Sequence, residues 1–154
     1  MNWKITDHCE NTKEIHIEIW VSLFFVLDSV GQKQGDYMKN RFEIQGNCLT
    51  VHLPREVDHP AADEIRRESD NILRKNYIRT MVFDFSETMF MDSSGIGMVL
   101  GRYRKMNETD GAVAIVSCSA AVRNILNMAG IFSLMDYMDT KEEAILYFKG
   151  KEAS

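Results

Sequence analysis

The chain has 154 residues, 45% hydrophobic and 27% charged, enough for one globular domain with a real core and too few for a repeat array or a large enzyme. Eighteen basic against twenty-three acidic residues leave a net charge of -5, so no basic surplus exists to neutralise a run of phosphates, and direct nucleic-acid binding is not expected. The three cysteines, Cys9, Cys48 and Cys118, are odd in number, widely spaced and without a C-x-x-C pair, which speaks against a disulfide framework or a zinc site and for a reducing cytoplasm.

Taken in chain order, the first feature is the apolar stretch Ile15 to Val30, IHIEIWVSLFFVLDSV. His16, Glu18 and Asp28 interrupt or flank it, and a membrane span needs about 20 largely apolar residues. It also lacks the basic start and small-residue cleavage site of a secretory signal. One reading makes it an added strand or helix packed on the domain.

From Met38 onward the pattern becomes orderly. Phe42 and Ile44 alternate with Glu43 and Gln45. Gly46-Asn47 interrupts, and then Leu49, Val51 and Leu53 alternate with Cys48, Thr50 and His52, which predicts a hairpin with a two-residue turn. Pro54 ends the second strand. Asp58 is a candidate cap and Pro60 suits a first helical turn, so Ala61, Ile65, Ile72 and Leu73 predict an amphipathic helix over residues 60–75. Thr80 to Phe85, TMVFDF, reads as a central strand covered on both faces.

A second helix follows, with Ile96, Val99, Leu100, Tyr103 and Met106 on its buried face and Arg102, Arg104, Lys105 and Glu108 on its solvent face. Asp110-Gly111 closes it, and Ala112 to Val116 supplies another buried strand. Ser119 caps a third helix that buries Val122, Ile125, Leu126 and Ala129 and stops at Gly130. Thr140 with Glu143 three residues later is a capping box for a last helix burying Ala144, Ile145 and Phe148. The order predicts an α/β domain of roughly four helices, with a mixed sheet edged by an antiparallel hairpin.

The chemistry-bearing stretch is Phe90-Met91-Asp92-Ser93-Ser94-Gly95-Ile96-Gly97, where a central strand's loop turns into a helix. Asp92, Ser93 or Ser94 can cap that helix, and only one of the three is needed. Spacing excludes a P-loop, because Arg102-Tyr103 follows Gly101 where Lys and Ser or Thr are required. A dinucleotide fingerprint would need glycine at Leu100. A nucleophile elbow would need glycine two residues before Ser93, where Met91 stands. The histidines His8, His16, His52 and His59 are expected to be satisfied or solvated rather than catalytic, and neither a cofactor nor a metal is expected.

The run FMDSSGIGMVLGRYRKM, Phe90 to Met106, resembles the STAS-domain anti-sigma factor antagonists, and its GRYRKM continuation resembles their sporulation branch, the anti-sigma F factor antagonists. The likeness extends from Lys39 to Lys149 and takes in the hairpin, EVDH at Glu56–His59, VFDFSETMFMDSSG, and AVRNILNMAGIF at Ala121–Phe132. Pro54-Arg55 departs from the Gly-containing G-E-L-D turn usual in that family. The resemblance implies a STAS-type fold and a binding module without catalysis of its own. It implies that Ser93 is phosphorylated by an anti-sigma factor that is an ATP-binding serine kinase of histidine-kinase-like fold, and that a serine phosphatase resets it. Asp58, Asp92, Ser94 and Gly95 are the implied partner-binding residues. The free protein is expected to be a cytoplasmic monomer acting in sporulation, away from any membrane. The alternative function is a STAS-type sensor that binds a nucleotide or other small ligand in the same loop.

Residues 1–37 have no counterpart in this resemblance. Lys33 to Tyr37 can be encoded with AAGGAG shortly before the Met38 codon, as in a bacterial ribosome-binding site. The expectation is therefore a STAS domain over 38–154, with 1–37 a dispensable extension lying upstream of the true start; the rival is an element covering a sheet edge or apolar patch.

Overall fold

The computed structural model describes residues 41–154. The expectations about the Ile15–Val30 stretch, the Met38 start, Cys9, His8 and His16 lie outside the described residues.

Among the described residues, five strands form one sheet. β1 (Phe42–Gln45) and β2 (Cys48–His52) make the antiparallel hairpin, with Gln45 opposite Cys48. Gly46 turns the chain at φ +63, a left-handed conformation that costs glycine little. β4 (Thr80–Asp84) pairs parallel with β2 on one side and with β6 (Ala112–Val116) on the other, and β7 (Asp136–Met138) closes the far edge, giving the order β1-β2-β4-β6-β7. The TMVFDF strand is central and buried throughout, as its unbroken apolar run predicts.

Strand alternation divides the core into two layers. Leu49, Val51, Met81, Phe83, Val113 and Ile115 face the layer shared with α1 (His59–Lys75), α2 (Ser93–Asn107) and α3 (Ala120–Met128). Cys48, Val82, Ala114 and Val116 face α4 (Lys141–Glu152), which lays Ala144, Ile145 and Phe148 on the opposite side. Each fully buried aliphatic or aromatic side chain here contributes about 1.5–3 kcal/mol of transfer free energy.

The caps follow the residue chemistry. Asp58 Oδ1 accepts from Ala61 N at 3.1 Å, Ser119 Oγ from Val122 N at 3.3 Å, and Thr140 Oγ1 from Glu143 N at 3.2 Å. The Glu143 carboxylate reaches back to the Asp139 N–H, one residue before the usual capping-box partner. Gly130 stops α3 at φ +72. At the end of α2 the left-handed residue is Asp110, φ 54, while Gly111 follows where a Cβ would meet Met106 O at 3.0 Å.

Three differences from the sequence reading have physical causes. Arg102, assigned to the solvent face of α2, is buried, because α1 packs alongside α2 and covers that flank. Its guanidinium bonds the Arg66 carbonyl at 3.2 Å, Ser69 Oγ at 3.3 Å, and the Asp70 carboxylate. Next, the buried alanine in the first turn of α1 is Ala62, with Ala61 half-buried. Finally, β7 and the short strands β3 (Glu56–Val57) and β5 (Phe90–Met91) carry too few residues for a periodic signal.

Candidate functional site

β3 and β5 pair in parallel, with Glu56 opposite Phe90 and Val57 opposite Met91. This small ladder fixes the course of the Pro54–Asp58 loop despite its unusual sequence. Met89 N donates to Arg55 O at 2.8 Å, Asp92 N to Val57 O at 3.3 Å, and Thr88 Oγ1 to Pro54 O at 2.9 Å. Each short strand runs straight into a helix, so the N-termini of α1 and α2 emerge side by side.

Of the three side chains able to cap α2, Asp92 does so: its Oδ1 accepts from Ser94 N at 2.8 Å and Gly95 N at 3.2 Å. The cap position is extended, φ -98 and ψ -175, as N-cap residues are. Ser93, the first helical residue, is exposed, and its hydroxyl makes no hydrogen bond within the described residues. Ser94 is half-buried. Gly95 is buried against β3 and β5: a Cβ there would lie 2.8 Å from Met91 Cγ, 2.9 Å from Val57 Cγ1 and 3.0 Å from Val57 O. Gly95 therefore supplies close approach of α2 to the ladder. Asp58 is exposed and caps α1 from the neighbouring strand end.

Sequence reasoning missed the neighbour of His59. Its Nδ1 lies 3.2 Å from Ser94 Oγ and its Nε2 3.3 Å from Asp63 Oδ2, so the ring has partners, as expected of a satisfied histidine. The signal was the spacing: His59 stands one residue past Asp58 and Ser94 two past Asp92, and the ladder sets those positions abreast. Serine, histidine and aspartate in a row resemble a hydrolytic triad, but the chemistry is incomplete. The two N–H groups best placed to hold an oxyanion already donate to Asp92, whose negative charge occupies the spot.

Beside the acidic loop, Met89 and Phe90 present apolar surface, 61% and 51% exposed. The second histidine in the described residues, His52, lies on the α4 side of the sheet, with Nδ1 3.0 Å from Asp84 Oδ2 and Nε2 3.4 Å from Glu43 Oε2. Glu43 also takes a 2.9 Å bond from Lys141. This bond, with further ones from Gln45 and His52, holds the Glu43 carboxyl down at about 2. Among the described residues no group of three or more His, Cys, Asp or Glu side chains could hold a metal ion, and no helix is long and apolar enough to cross a membrane.

The STAS domain family matches residues 40–144. An anti-sigma F factor antagonist of Paenibacillus polymyxa is 33% identical over 97 residues, which span 63% of this chain and 83% of that protein. An anti-sigma F factor antagonist of Lysinibacillus sphaericus is 31% identical over 103 residues, 66% of this chain and 86% of that one. Among solved structures, the anti-sigma factor antagonist SpoIIAA in its unphosphorylated form superimposes with a TM-score of 0.65 at 31% identity, covering 71% of this chain and 95% of SpoIIAA. The Bacillus cell fate determinant SpoIIAA in its phosphorylated form gives 0.58 at 30% identity, covering 70% and 96%. The fold, the DSSG turn at the start of α2 and these matches agree, and the chain belongs to the STAS domain family as an anti-sigma factor antagonist of the SpoIIAA type.

Proposed function

We propose that this antagonist is switched by phosphorylation of Ser93. Unmodified, it binds an anti-sigma factor that is itself an ATP-dependent serine kinase of histidine-kinase-like fold, and so releases a sigma factor. Phosphorylated, it lets the kinase go until a serine phosphatase restores it. The protein performs no catalysis, uses no cofactor, and works in cytoplasmic control of sporulation genes. Asp58, Asp92 and Ser94 surround the acceptor on the contact surface, and Gly95 holds the helix that carries it close to β3.

The observation that carries this reading is the division of labour between Asp92 and Ser93. Asp92 does the capping, so the exposed Ser93 hydroxyl is free to be modified without removing a structural bond. That SpoIIAA has been solved in phosphorylated and unphosphorylated forms supports it, as does the exposed Met89-Phe90 pair, which offers a partner apolar contact next to the acceptor.

Phosphate adds a charge of about -1.5 to -2 and strong acceptor oxygens. At the first residue of a helix the chain's own dipole tolerates that charge, so the fold is kept. The partner instead has to desolvate a dianion beside Asp92 where it had packed a hydroxyl. A penalty of about 4 kcal/mol lowers affinity roughly a thousandfold.

A nucleotide-binding loop is disfavoured by the same geometry. The Ser94 and Gly95 N–H groups of the first turn are taken by Asp92, and Asp58 and Asp92 add two carboxylates at the paired helix starts. Incubation with the cognate kinase and ATP, followed by phosphopeptide mapping, tests the proposal. One phosphate on Ser93 is expected; phosphate on Ser94, or none, would sink it.

A further inference from the structure

A phosphate on Ser93 arrives at a place where several of the usual anion donors are already engaged. Asp92 holds Ser94 N–H and Gly95 N–H, Asp58 holds Ala61 N–H, and Pro60 has no N–H to offer. The two capping carboxylates add negative charge nearby, so a cationic donor within reach would stabilise the dianion further.

We infer that His59 is that donor, a positioning residue for the Ser93 phosphate. Its ring stays anchored through Nε2 on Asp63, while Nδ1 turns from the Ser94 hydroxyl to a phosphate oxygen on the preceding residue. The inference rests on phosphorylation of Ser93 as proposed above.

Nδ1 already lies 3.2 Å from Ser94 Oγ, and the imidazole is 72% exposed, so no packing hinders the turn. The charged groups around it are otherwise acidic or engaged. On α1 stand Asp58 and Asp63, the latter also bonded to Arg66 at 2.6 Å. From β3 comes Glu56, from the α2 cap Asp92, and from β5 only Phe90 and Met91. Arg55 sits three extended residues before Asp58, roughly 10 Å back along the chain. A phosphoserine loses its second proton near pH 6, so its midpoint reports the charge placed beside it. An imidazolium favours the dianion and draws the phosphate midpoint down; removing it lets the midpoint rise.

The test places phosphoserine at position 93 of the full chain by codon reassignment and follows the phosphorus resonance through a pH titration. His59→Gln is expected to raise the phosphate midpoint by about 0.5 pH unit, a screened version of the shift a neighbouring charge produces. His59→Lys should bring it back down, and Ser94→Ala should leave it at or below the unsubstituted value. Equal midpoints in the unsubstituted and His59→Gln proteins would overturn the inference, as would a rise in Ser94→Ala matching that in His59→Gln. Because the phosphate is installed without the kinase, a kinase that fails to label Ser93 would sink the proposed function separately, with the His59 contact still measured.

Discussion

Asp58 and Asp92 occupy matching places one residue beyond the paired strands β3 and β5, with nearly the same backbone angles, φ -88 and ψ -176 against φ -98 and ψ -175. Each caps the helix that follows. Two helix N-termini are thereby held abreast, and Ser93 stands at the junction with its hydroxyl unused.

Under the proposed function, that arrangement separates stability from signalling at Ser93. Ser93→Ala should bind the kinase within about threefold of the unsubstituted affinity and escape inactivation, whereas Ser93→Asp, with one charge and less bulk than phosphate, should lose about tenfold or more. Melting temperatures of both should stay within about 2 °C, because Asp92 keeps the cap. Calorimetric titration and thermal melts check this; equal affinities would show that charge at Ser93 is not the switch.

Met89 and Phe90 should anchor the partner. Replacing both by serine removes apolar surface worth about 1–2 kcal/mol for each residue, so binding should weaken at least tenfold with the melting temperature little changed. An unchanged dissociation constant would take the pair out of the interface.

Arg102→Ala should be costly although the site is remote from Ser93. It strips a buried guanidinium from Ser69, the Arg66 carbonyl and Asp70, leaving Asp70 to Lys105. Burial pushes the Asp70 carboxyl up, but bonds from Lys105 and Arg102 outweigh it and hold the carboxyl below its ordinary value. A loss of about 2–3 kcal/mol is expected, below that of a fully buried broken pair because Lys105 remains, and the melting temperature should fall by roughly 10 °C. A change under about 2 °C would contradict this.

Glu43 makes acid sensitivity predictable in sign. Its carboxyl is lowered from 4.5 to about 2, mainly by the bond from Lys141. A depressed carboxylate adds stability that is fully present above its unfolded value and is lost as pH falls through its folded value, here from about 4.5 towards about 2. Since the side chain is 39% exposed, solvent screening keeps the contribution to about 1 kcal/mol or less. Glu43→Gln should flatten the stability curve in that window, as read by denaturant midpoints at successive pH values.

The thiols should be quiet. Burial pushes Cys118 up to about 12 and also raises Cys48, so neither forms much thiolate at pH 8. Alkylation by iodoacetamide under native conditions, read residue by residue by mass spectrometry, should leave both largely unmodified until the protein is unfolded.

Local chemistry was enough to make much of this fold legible in the sequence. Alternation marked the β1–β2 hairpin, an unbroken apolar run marked β4 as central, and Asp58, Ser119 and Thr140 marked helix starts, because each signal depends on residues a few positions apart. Ser93 as the proposed phosphoacceptor came instead from the likeness of the DSSG turn to the STAS antagonists, since local chemistry marks that turn only as a helix start. Long-range packing decided the rest. Arg102 looks solvent-facing on its own helix, and only the flank of α1 buries it. Cys48 looks like the open side of a strand until α4 packs against it. Three carboxyl or hydroxyl residues could have capped α2, and the choice of Asp92 follows from the backbone that β5 hands to the helix. His59 and Ser94 are 35 positions apart in sequence and meet only because β3 and β5 pair, a contact that no periodicity within either segment encodes.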